Sequence, residues 1–147
     1  MDALIALLWL VAGVLGGGDD DPECLMLGGL DAVRTQAFVT GDVARLRDVY
    51  VDGRVTDAAV LRSYRDRGLR LGGMVLVRES CRVTDRSRAS ITLDVVDHLG
   101  PTWVHTEDGR RRDLPRDRPT RRTVVLERTD VGWRVGSVAS GERRYER

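Results

Sequence analysis

The stretch Leu30–Val51, LDAVRTQAFVTGDVARLRDVYV, decides how the rest of the chain is interpreted. Its apolar residues recur at helical spacing on both sides of a Gly-Asp pair. Glycine commonly ends helices and aspartate commonly caps the next one, so Gly41-Asp42 predicts a break between two short helices. Asp31 and Arg34 fall on the polar side of the first helix. The apolar positions are Leu30, Val33, Ala37 and Phe38, followed by Val43, Leu46 and either Val49 or Tyr50.

After these two helices the sequence predicts a third helix and then a change to strand-like spacing. Thr56 or Asp57 can cap a third helix, which Gly68 ends. From Leu69 onward apolar residues alternate, and Asp108-Gly109 is a hairpin turn signal. We expect an α+β fold in which three N-terminal helices pack on a curved antiparallel sheet of four to five strands. The strand-like segments are Met74–Thr84, Ala89–Leu99, Trp103–Thr106, Arg110–Leu114, Thr120–Arg128 and Trp133–Ala139.

The first 18 residues predict a membrane or export segment. The apolar run Ala3–Val14 is shorter than the ~20 residues of a usual spanning helix and also fits the apolar region of a signal peptide. No Lys or Arg precedes it, and a buried helix of the domain is a third alternative. We favour an anchor over a cleaved signal. Residues 19–27 then form an acidic linker, 28–139 the folded domain and 140–147 a charged tail.

The chain contains two cysteines, Cys24 and Cys81. Outside the cytoplasm they can form a single bridge, which would stabilise the fold by roughly 4 kcal/mol in the chain-entropy model. Two unpaired, partly buried thiols are the other alternative. A catalytic cysteine is disfavoured because neither cysteine has a histidine nearby in a sequence context typical of cysteine-dependent enzymes.

The charge pattern argues against nucleic acid and metals. All 24 basic residues are arginine, a bias typical of a GC-rich genome, and aromatic residues do not interleave with them. The arginines between Arg110 and Arg122 are diluted by acidic neighbours. Asp19–Asp21 lacks the glycine and glutamate of a calcium loop, and the two histidines lack partners at zinc-like spacing. We therefore expect no nucleic acid, no metal and no cofactor.

Two parts of the chain resemble the nuclear transport factor 2-like (cystatin-like, SnoaL-like) superfamily. Gln36–Leu46, QAFVTGDVARL, is similar to its common opening, and Leu114–Leu126 with Gly132–Val135 is similar to its last two strands. The resemblance covers Leu25–Ala139. It implies a cone, with the sheet curled around the helices and a pocket at the open end. Some members are isomerases, cyclases or dehydratases that use Asp, His or Tyr there, and many are accessory domains at bacterial membranes.

Four residues are candidates for the lining of such a pocket: Tyr50, Tyr64, Glu79 and His105. The alternation of the first long strand predicts that Val75, Val77 and Cys81 share one face and that Arg78 lies on the other. Glu79 interrupts this apolar row, so it either lies at the edge of the sheet, which we favour, or enters the pocket with a raised pKa. His105 is expected to share a strand face with Trp103. No residue is assigned as catalytic. Asp94, Asp97 and His98 are the remaining acid/base groups of interest.

The sequence favours a membrane-anchored, extracytoplasmic accessory or protein-interaction domain without identifiable catalysis. It would contact the membrane through residues 3–18 and a protein partner through the domain, and a homodimer is compatible with this. Cleavage of the N-terminal segment would make the protein secreted. The alternative is a small-molecule binder or a SnoaL-like enzyme of the isomerase or cyclase type. A cone filled by Leu and Val would argue against it, and a deep cavity lined by Glu79 or a histidine would support it.

Overall fold

The computed structural model describes residues 21–52 and 55–141, in which helices precede strands. This order confirms the predicted α+β class. The apolar segment 1–18 lies outside the described residues, and among the described ones no helix is both long and apolar enough to cross a bilayer. The elements are α1 Pro22–Thr40, a 3₁₀ helix Val43–Asp48, α2 Val55–Asp66, β1 Arg70–Gly72, β2 Leu76–Arg86, β3 Ser90–Leu99, β4 Trp103–His105, β5 Arg111–Asp113, β6 Thr120–Thr129 and β7 Gly132–Ser140.

Helix α1 is longer than the sequence pattern predicts. It begins at Pro22, a residue whose fixed φ and missing N–H suit the first helical position. The stretch predicted as linker is therefore helical from Pro22 onward. The helix ends as predicted at Gly41, which adopts a left-handed φ of 73°. The apolar positions Leu30, Ala37 and Phe38 are buried on its inner face.

The second helix is a 3₁₀ helix, and the Asp42 side chain makes no capping hydrogen bond, so that part of the prediction is wrong. The helix is short because the chain must leave it by Val49 in order to pair with β7. Val135 N–H donates to Val49 O (2.7 Å), and Val51 N–H donates to Val135 O (3.1 Å). This short parallel bridge covers part of the outer edge of β7.

The described strands form two antiparallel sheets in place of the single sheet of four to five strands that was predicted. One has the order β2-β3-β6-β7 and the other β1-β4-β5. Neither sheet closes, and the arrangement is consistent with a cone. Strand β1 was missed because three residues, Arg70–Gly72, are too few to show an alternating pattern. The Asp108-Gly109 turn joins β4 to β5 as predicted.

A β-bulge at Glu79 changes which side chains of strand β2 point toward the core. The register of β2 on β3 skips Glu79, so the alternation of side chains reverses at that point. After the bulge Cys81 is buried, whereas before it Val75 and Val77 are 59% and 39% exposed. The prediction that these three residues share one face is therefore wrong. Arg78, predicted on the opposite face, points toward α1 instead.

A disulfide joins Cys24 in the first turns of α1 to Cys81 in β2. Both cysteines are 3% exposed. Beside the disulfide, Arg86 Nε donates to Glu23 Oε1 (2.6 Å). The covalent link and the ion pair hold the start of α1 against the edge strand.

Trp103 packs closely on two glycines of the smaller sheet. A Cβ atom on Gly73 would lie 2.0 Å from Cζ3 of the indole ring, and one on Gly72 would lie 2.4 Å from Nε1. Gly73 also has a left-handed φ of 63°. The Arg111 guanidinium lies 3.9 Å from the indole centroid, within cation–π distance. These contacts order the smaller sheet around one indole ring.

We predict that Gly73→Ala destabilises the protein more than Gly109→Ala. Both glycines have positive φ, so each substitution incurs a backbone cost of about 1–2 kcal/mol. A Cβ at Gly109 meets nothing within 4 Å, whereas one at Gly73 overlaps Trp103. The overlap adds roughly 1–3 kcal/mol. Urea denaturation of the two variants measures the difference, and equal losses would mean that Trp103 does not pack on Gly73.

Candidate functional site

A small interior cleft lies between α1 and the inner face of the four-stranded sheet. Its volume is about 90 Å³. Six charged residues and one tyrosine line it together with apolar side chains. The lining residues are Leu27, Asp31, Arg34, Val49, Tyr50, Asp57, Leu76, Arg78, Asp97, Arg122, Val124, Val135 and Val138.

Apolar side chains fill the rest of the interior. The largest fully buried side chains among the described residues are leucines and valines contributed by the 3₁₀ helix, the segment after it and three strands. They are Leu46, Val49, Leu93, Val95, Val104 and Leu126. Alternating residues of β3 supply two of them, as its period-two pattern predicts. Leucine and valine therefore make up the most deeply buried part of the core.

The first polar group in the cleft is built on Asp57. Its carboxylate accepts from Arg34 through Nε (2.7 Å) and Nη2 (3.3 Å), and from the Tyr50 hydroxyl (2.5 Å). Burial raises the pKa of Tyr50 to about 12. The Arg34 charge opposes this shift and the hydrogen bond to Asp57 adds to it. Tyr50 is therefore a protonated hydrogen-bond donor at neutral pH.

The second polar group connects α1 to the sheet. Arg78 Nη2 pairs with Asp31 and lies 4.0 Å from Asp97 Oδ2, and Arg122 Nη1 lies 3.3 Å from Asp97 Oδ1. Asp97 is 4% exposed. Burial raises the pKa of Asp31 above its ordinary value, against the opposing hydrogen bond from Arg78. The charges alternate along this group, so each carboxylate has a guanidinium beside it.

The cleft is poorly suited to hold a metabolite. Ligand pockets usually measure about 300–1,000 Å³, several times the volume here. Its three carboxylates face three guanidinium groups, so the charged residues that line it are balanced. Among the described residues that line the cleft, two buried atoms, Asp97 Oδ1 and Arg78 Nε, have no hydrogen-bond partner. A water molecule needs about 10–15 Å³ of such space, so the cleft has room for water that can hydrogen-bond to them.

The structure does not bring the four predicted pocket residues together. Tyr50 lines the interior cleft, and Tyr64 lies on α2 outside that lining. Tyr64 is half-buried, and its ring lies 5.2 Å from the Arg67 guanidinium. The two tyrosines thus occupy different environments.

Glu79 and His105 lie at two separate places outside the interior cleft. Glu79 occupies the bulge of the edge strand β2, the position favoured over the pocket, and its carboxylate lies 3.7 Å from His98 Nδ1. His105 is exposed, and its Nε2 accepts a hydrogen bond from Trp103 Nε1 (3.0 Å), which agrees with the expected common face. Neither residue lines the interior cleft.

Most residues of the cleft were missed in the sequence. Asp31 and Arg34 were assigned to the polar side of α1, but they pair with other elements of the fold, Asp31 with Arg78 of β2 and Arg34 with Asp57 of α2. Asp57 was expected to cap α2, yet the helix begins at Val55 and the carboxylate turns to Arg34. The burial of Asp97 could have been predicted from the sequence, because it follows the buried residues of β3 in the same alternation.

The described residues contain no group of three or more His, Cys, Asp or Glu side chains placed to hold a metal ion. The carboxylates in the cleft are instead neighbours of arginines. A cation would compete directly with those guanidinium groups. The chemistry of the cleft therefore fits internal ion pairing better than metal ligation.

No protein-family model and no curated protein matches the chain. A similar solved structure is the intermembrane space region of chloroplast protein ARC6, with a TM-score of 0.59 and 11% identity, covering 82% of this chain and 95% of that one. At this identity the likeness shows the fold alone.

Two proteins from Novosphingobium aromaticivorans also match. A candidate aromatic ring hydroxylase has a TM-score of 0.47 and 13% identity, covering 80% of this chain and 92% of that one. An NTF2-like protein with a cystatin-like fold has a TM-score of 0.41 and 16% identity, covering 86% and 92%. These two likenesses are too distant to carry an argument.

We predict that Tyr50→Phe lowers the free energy of unfolding by about 1.5–3 kcal/mol, the range for a hydrogen bond to a charged group. The substitution leaves the Asp57 carboxylate without its phenolic donor. Tyr64→Phe, at a half-buried tyrosine outside the cleft, is the matched control and should change stability less. Urea denaturation measures both. Equal effects would show that the hydrogen bond from the Tyr50 hydroxyl to Asp57 does not stabilise the fold.

We predict that the advantage of the wild-type protein over Asp31→Asn grows as the pH falls from 7 toward about 4. Because the pKa of Asp31 is raised above 3.8 in the folded state, the folded protein takes up a proton before the unfolded chain does. That proton stabilises the fold, and asparagine cannot bind it. Urea midpoints at several pH values measure the trend.

Asp94→Asn is the control of opposite sign. The hydrogen bond from Arg121 lowers the pKa of Asp94, so the stability that Asp94 contributes is lost as the pH falls through its folded value. The wild-type advantage over Asp94→Asn should therefore shrink on acidification. The same trend for both variants would contradict the assignment of Asp31 as a carboxyl group dominated by burial.

Proposed function

We propose that this chain is a non-catalytic accessory domain of the nuclear transport factor 2-like superfamily. In this proposal, residues 3–18 anchor it in a cell membrane, the domain lies on the extracytoplasmic side, and it acts by binding another protein. The observation that carries the proposal is the interior. Leucine and valine fill most of it, and the interior cleft of about 90 Å³ is lined by charged side chains that pair with one another.

The superfamily assignment is supported by the order of elements. Three helices precede antiparallel strands, and Gly41-Asp42 separates the first two helices at the point where the sequence resembles the family opening. The bulge in β2 bends a long strand, as curved sheets require. Together these features favour the cone that the resemblance implies.

An extracytoplasmic location is supported by the Cys24–Cys81 disulfide. Such bonds persist in oxidising compartments and are rare in the cytoplasm. The apolar run Ala3–Val14, which precedes the domain, supplies a segment suited to export or anchoring. Both features favour the same location by independent physical reasons.

The alternative is a small-molecule binder or SnoaL-like enzyme that uses the cone. Catalysis would require an acid/base group near a substrate of appreciable size. In the cleft the carboxylates of Asp31, Asp57 and Asp97 already face arginines, and Glu79 and His105 lie elsewhere. The geometry therefore favours the accessory domain.

Paired reporters fused after Arg147 test the location. Alkaline phosphatase is active only after export, and green fluorescent protein exported in unfolded form does not become fluorescent. We expect phosphatase activity without fluorescence, and loss of that activity when residues 1–18 are deleted. Retention of the fusion in carbonate-washed membranes distinguishes an anchor from a cleaved signal. Fluorescence without phosphatase activity would overturn the extracytoplasmic assignment.

A further inference from the structure

A wide surface groove lies between the 3₁₀ helix and α2, with a volume of about 680 Å³. Three arginines line it, Arg47 from the 3₁₀ helix and Arg62 and Arg65 from α2, and we call it the arginine groove. Among its described lining residues the only carboxylate belongs to Asp52. Of those lining residues it shares only Tyr50 with the interior cleft. The groove is therefore a separate, predominantly cationic place on the surface.

The arginines reach the groove because of helical spacing. Ala58, Arg62 and Arg65 are separated by four and three positions, which places them on one face of α2. Arg47 comes from the neighbouring 3₁₀ helix. Leu46 and Ala58 are buried, whereas all three arginines are exposed. Apolar side chains therefore form the base of the groove, and guanidinium groups stand at its rim.

The three guanidinium groups of the arginine groove are not neutralised by the fold. None of them forms an ion pair with a carboxylate of the described residues. In the interior cleft, by contrast, Arg34, Arg78 and Arg122 each have an aspartate beside them. A groove lined by charges of one sign concentrates the electrostatic potential and attracts counter-ions. The arginine groove is therefore suited to bind an anion from outside the chain.

A second groove, of about 220 Å³, adjoins the arginine groove. Arg65 lines both, so its side chain lies where they meet. The backbone also connects them, because Thr40 and Gly41 line the second groove and Val43 and Ala44 line the first. We call the second one the apolar groove, because most of its lining is aliphatic or aromatic. These lining residues are Phe38, Val39, Leu61, Tyr64, Leu69 and Leu71.

A ligand that fills both grooves must carry an anionic head and an apolar tail. A phosphate monoester carries about −1.5 to −2 charges at pH 7 and has three strong acceptor oxygens, which suits several guanidinium groups at once. A carboxylate is satisfied by one bidentate arginine, so three arginines exceed what it needs. We propose that the arginine groove and the apolar groove together bind a phosphate monoester with a short apolar tail. The two volumes together stay within the roughly 300–1,000 Å³ of small-molecule sites.

This ligand goes beyond the proposed function and does not depend on it. Every residue that defines the two grooves lies within the described part of the chain, so the site requires neither residues 3–18 nor a particular compartment. No reaction is assigned to it. The same head and tail occur in a free ester and in the exposed part of an anionic lipid, and competition by the lipid distinguishes these two sources.

Titration of the full chain with hexyl phosphate tests the site. We expect saturable binding by calorimetry at neutral pH and physiological salt, which screens long-range attraction. Methyl phosphate keeps the head and lacks most of the tail, so it should bind about tenfold or more weakly. Hexyltrimethylammonium, which has the tail and a positive head, should not bind. Absence of saturable hexyl phosphate binding would overturn the proposal. Equal affinities for the two phosphates would also overturn it, because the tail would contribute nothing.

Arg47→Gln and Arg62→Gln should each weaken hexyl phosphate binding by about tenfold or more, because a hydrogen bond between two charged groups is lost. Arg45→Gln is the matched control. Arg45 is exposed on the same 3₁₀ helix as Arg47 but lines neither groove, and its substitution removes the same charge. Its affinity should remain close to that of the wild type. Equal losses in Arg45→Gln and Arg47→Gln would indicate diffuse attraction and overturn the site. Circular dichroism distinguishes lost binding from misfolding.

Competition in a bilayer identifies the source of the phosphate monoester. The full chain is placed in phosphatidylcholine discs with and without phosphatidic acid. A weaker apparent affinity for hexyl phosphate in the presence of phosphatidic acid supports the site and assigns it to the lipid head group. An unchanged affinity supports the site and assigns it to a free ester. An oligoglutamate peptide that competes more strongly than hexyl phosphate would overturn the proposal, because the occupant would then be an acidic polypeptide.

The outcomes separate this inference from the proposed function. Binding of hexyl phosphate that Arg62→Gln weakens, together with a reporter fusion active only in the cytoplasm, would refute the location and leave the site standing. An exported reporter fusion in a chain that does not bind hexyl phosphate would refute the site and leave the location intact.

Discussion

The position of α1 depends on ion pairs. The charged side chains on its inner side would be buried without partners if the helix lay elsewhere on the fold. Asp31 and Arg34 project from the inner side of the helix and meet Arg78 and Asp57. Removing a charge from water costs several kcal/mol unless a partner compensates it, so a helix displaced by one turn would leave these groups unsatisfied. Apolar burial alone would tolerate such a displacement, because Leu and Val contacts are not directional. The ion pairs therefore select one placement of α1 on the sheet.

The same pairing shapes what the interior can do. An interior cleft becomes a binding site when its polar groups are left for a ligand, and here the described charged groups pair with one another. Tyr50 illustrates the difference, since its buried hydroxyl donates to Asp57 and its pKa is raised to about 12. A hydroxyl held in this state orders the junction between the 3₁₀ helix and α2. The surface of the domain is then the more informative place to look for function.

Much of the fold could be predicted from local patterns, and the failures have physical causes. Gly41 and the alternation in β3 were predicted correctly because each depends on local backbone preferences. The bulge at Glu79 was not, since exposed valines before it and buried residues after it occupy odd positions alike, and the sequence therefore shows no change of phase. Asp31 and Arg34 were assigned to solvent because a helix has an apparent polar side wherever charges occur. Only their partners, Arg78 on the sheet and Asp57 on α2, reveal that this side is partly buried.

The disulfide has a consequence for how the chain matures. Its cysteines are separated by 57 positions, so Cys24 is synthesised well before its partner and α1 can be covalently fixed only after β2 has emerged. The sequence contains no third cysteine. Within one chain there is consequently a single way to pair the thiols, and it is the native one. Oxidative folding of this domain requires an electron acceptor, but intrachain shuffling by a disulfide isomerase has nothing to correct.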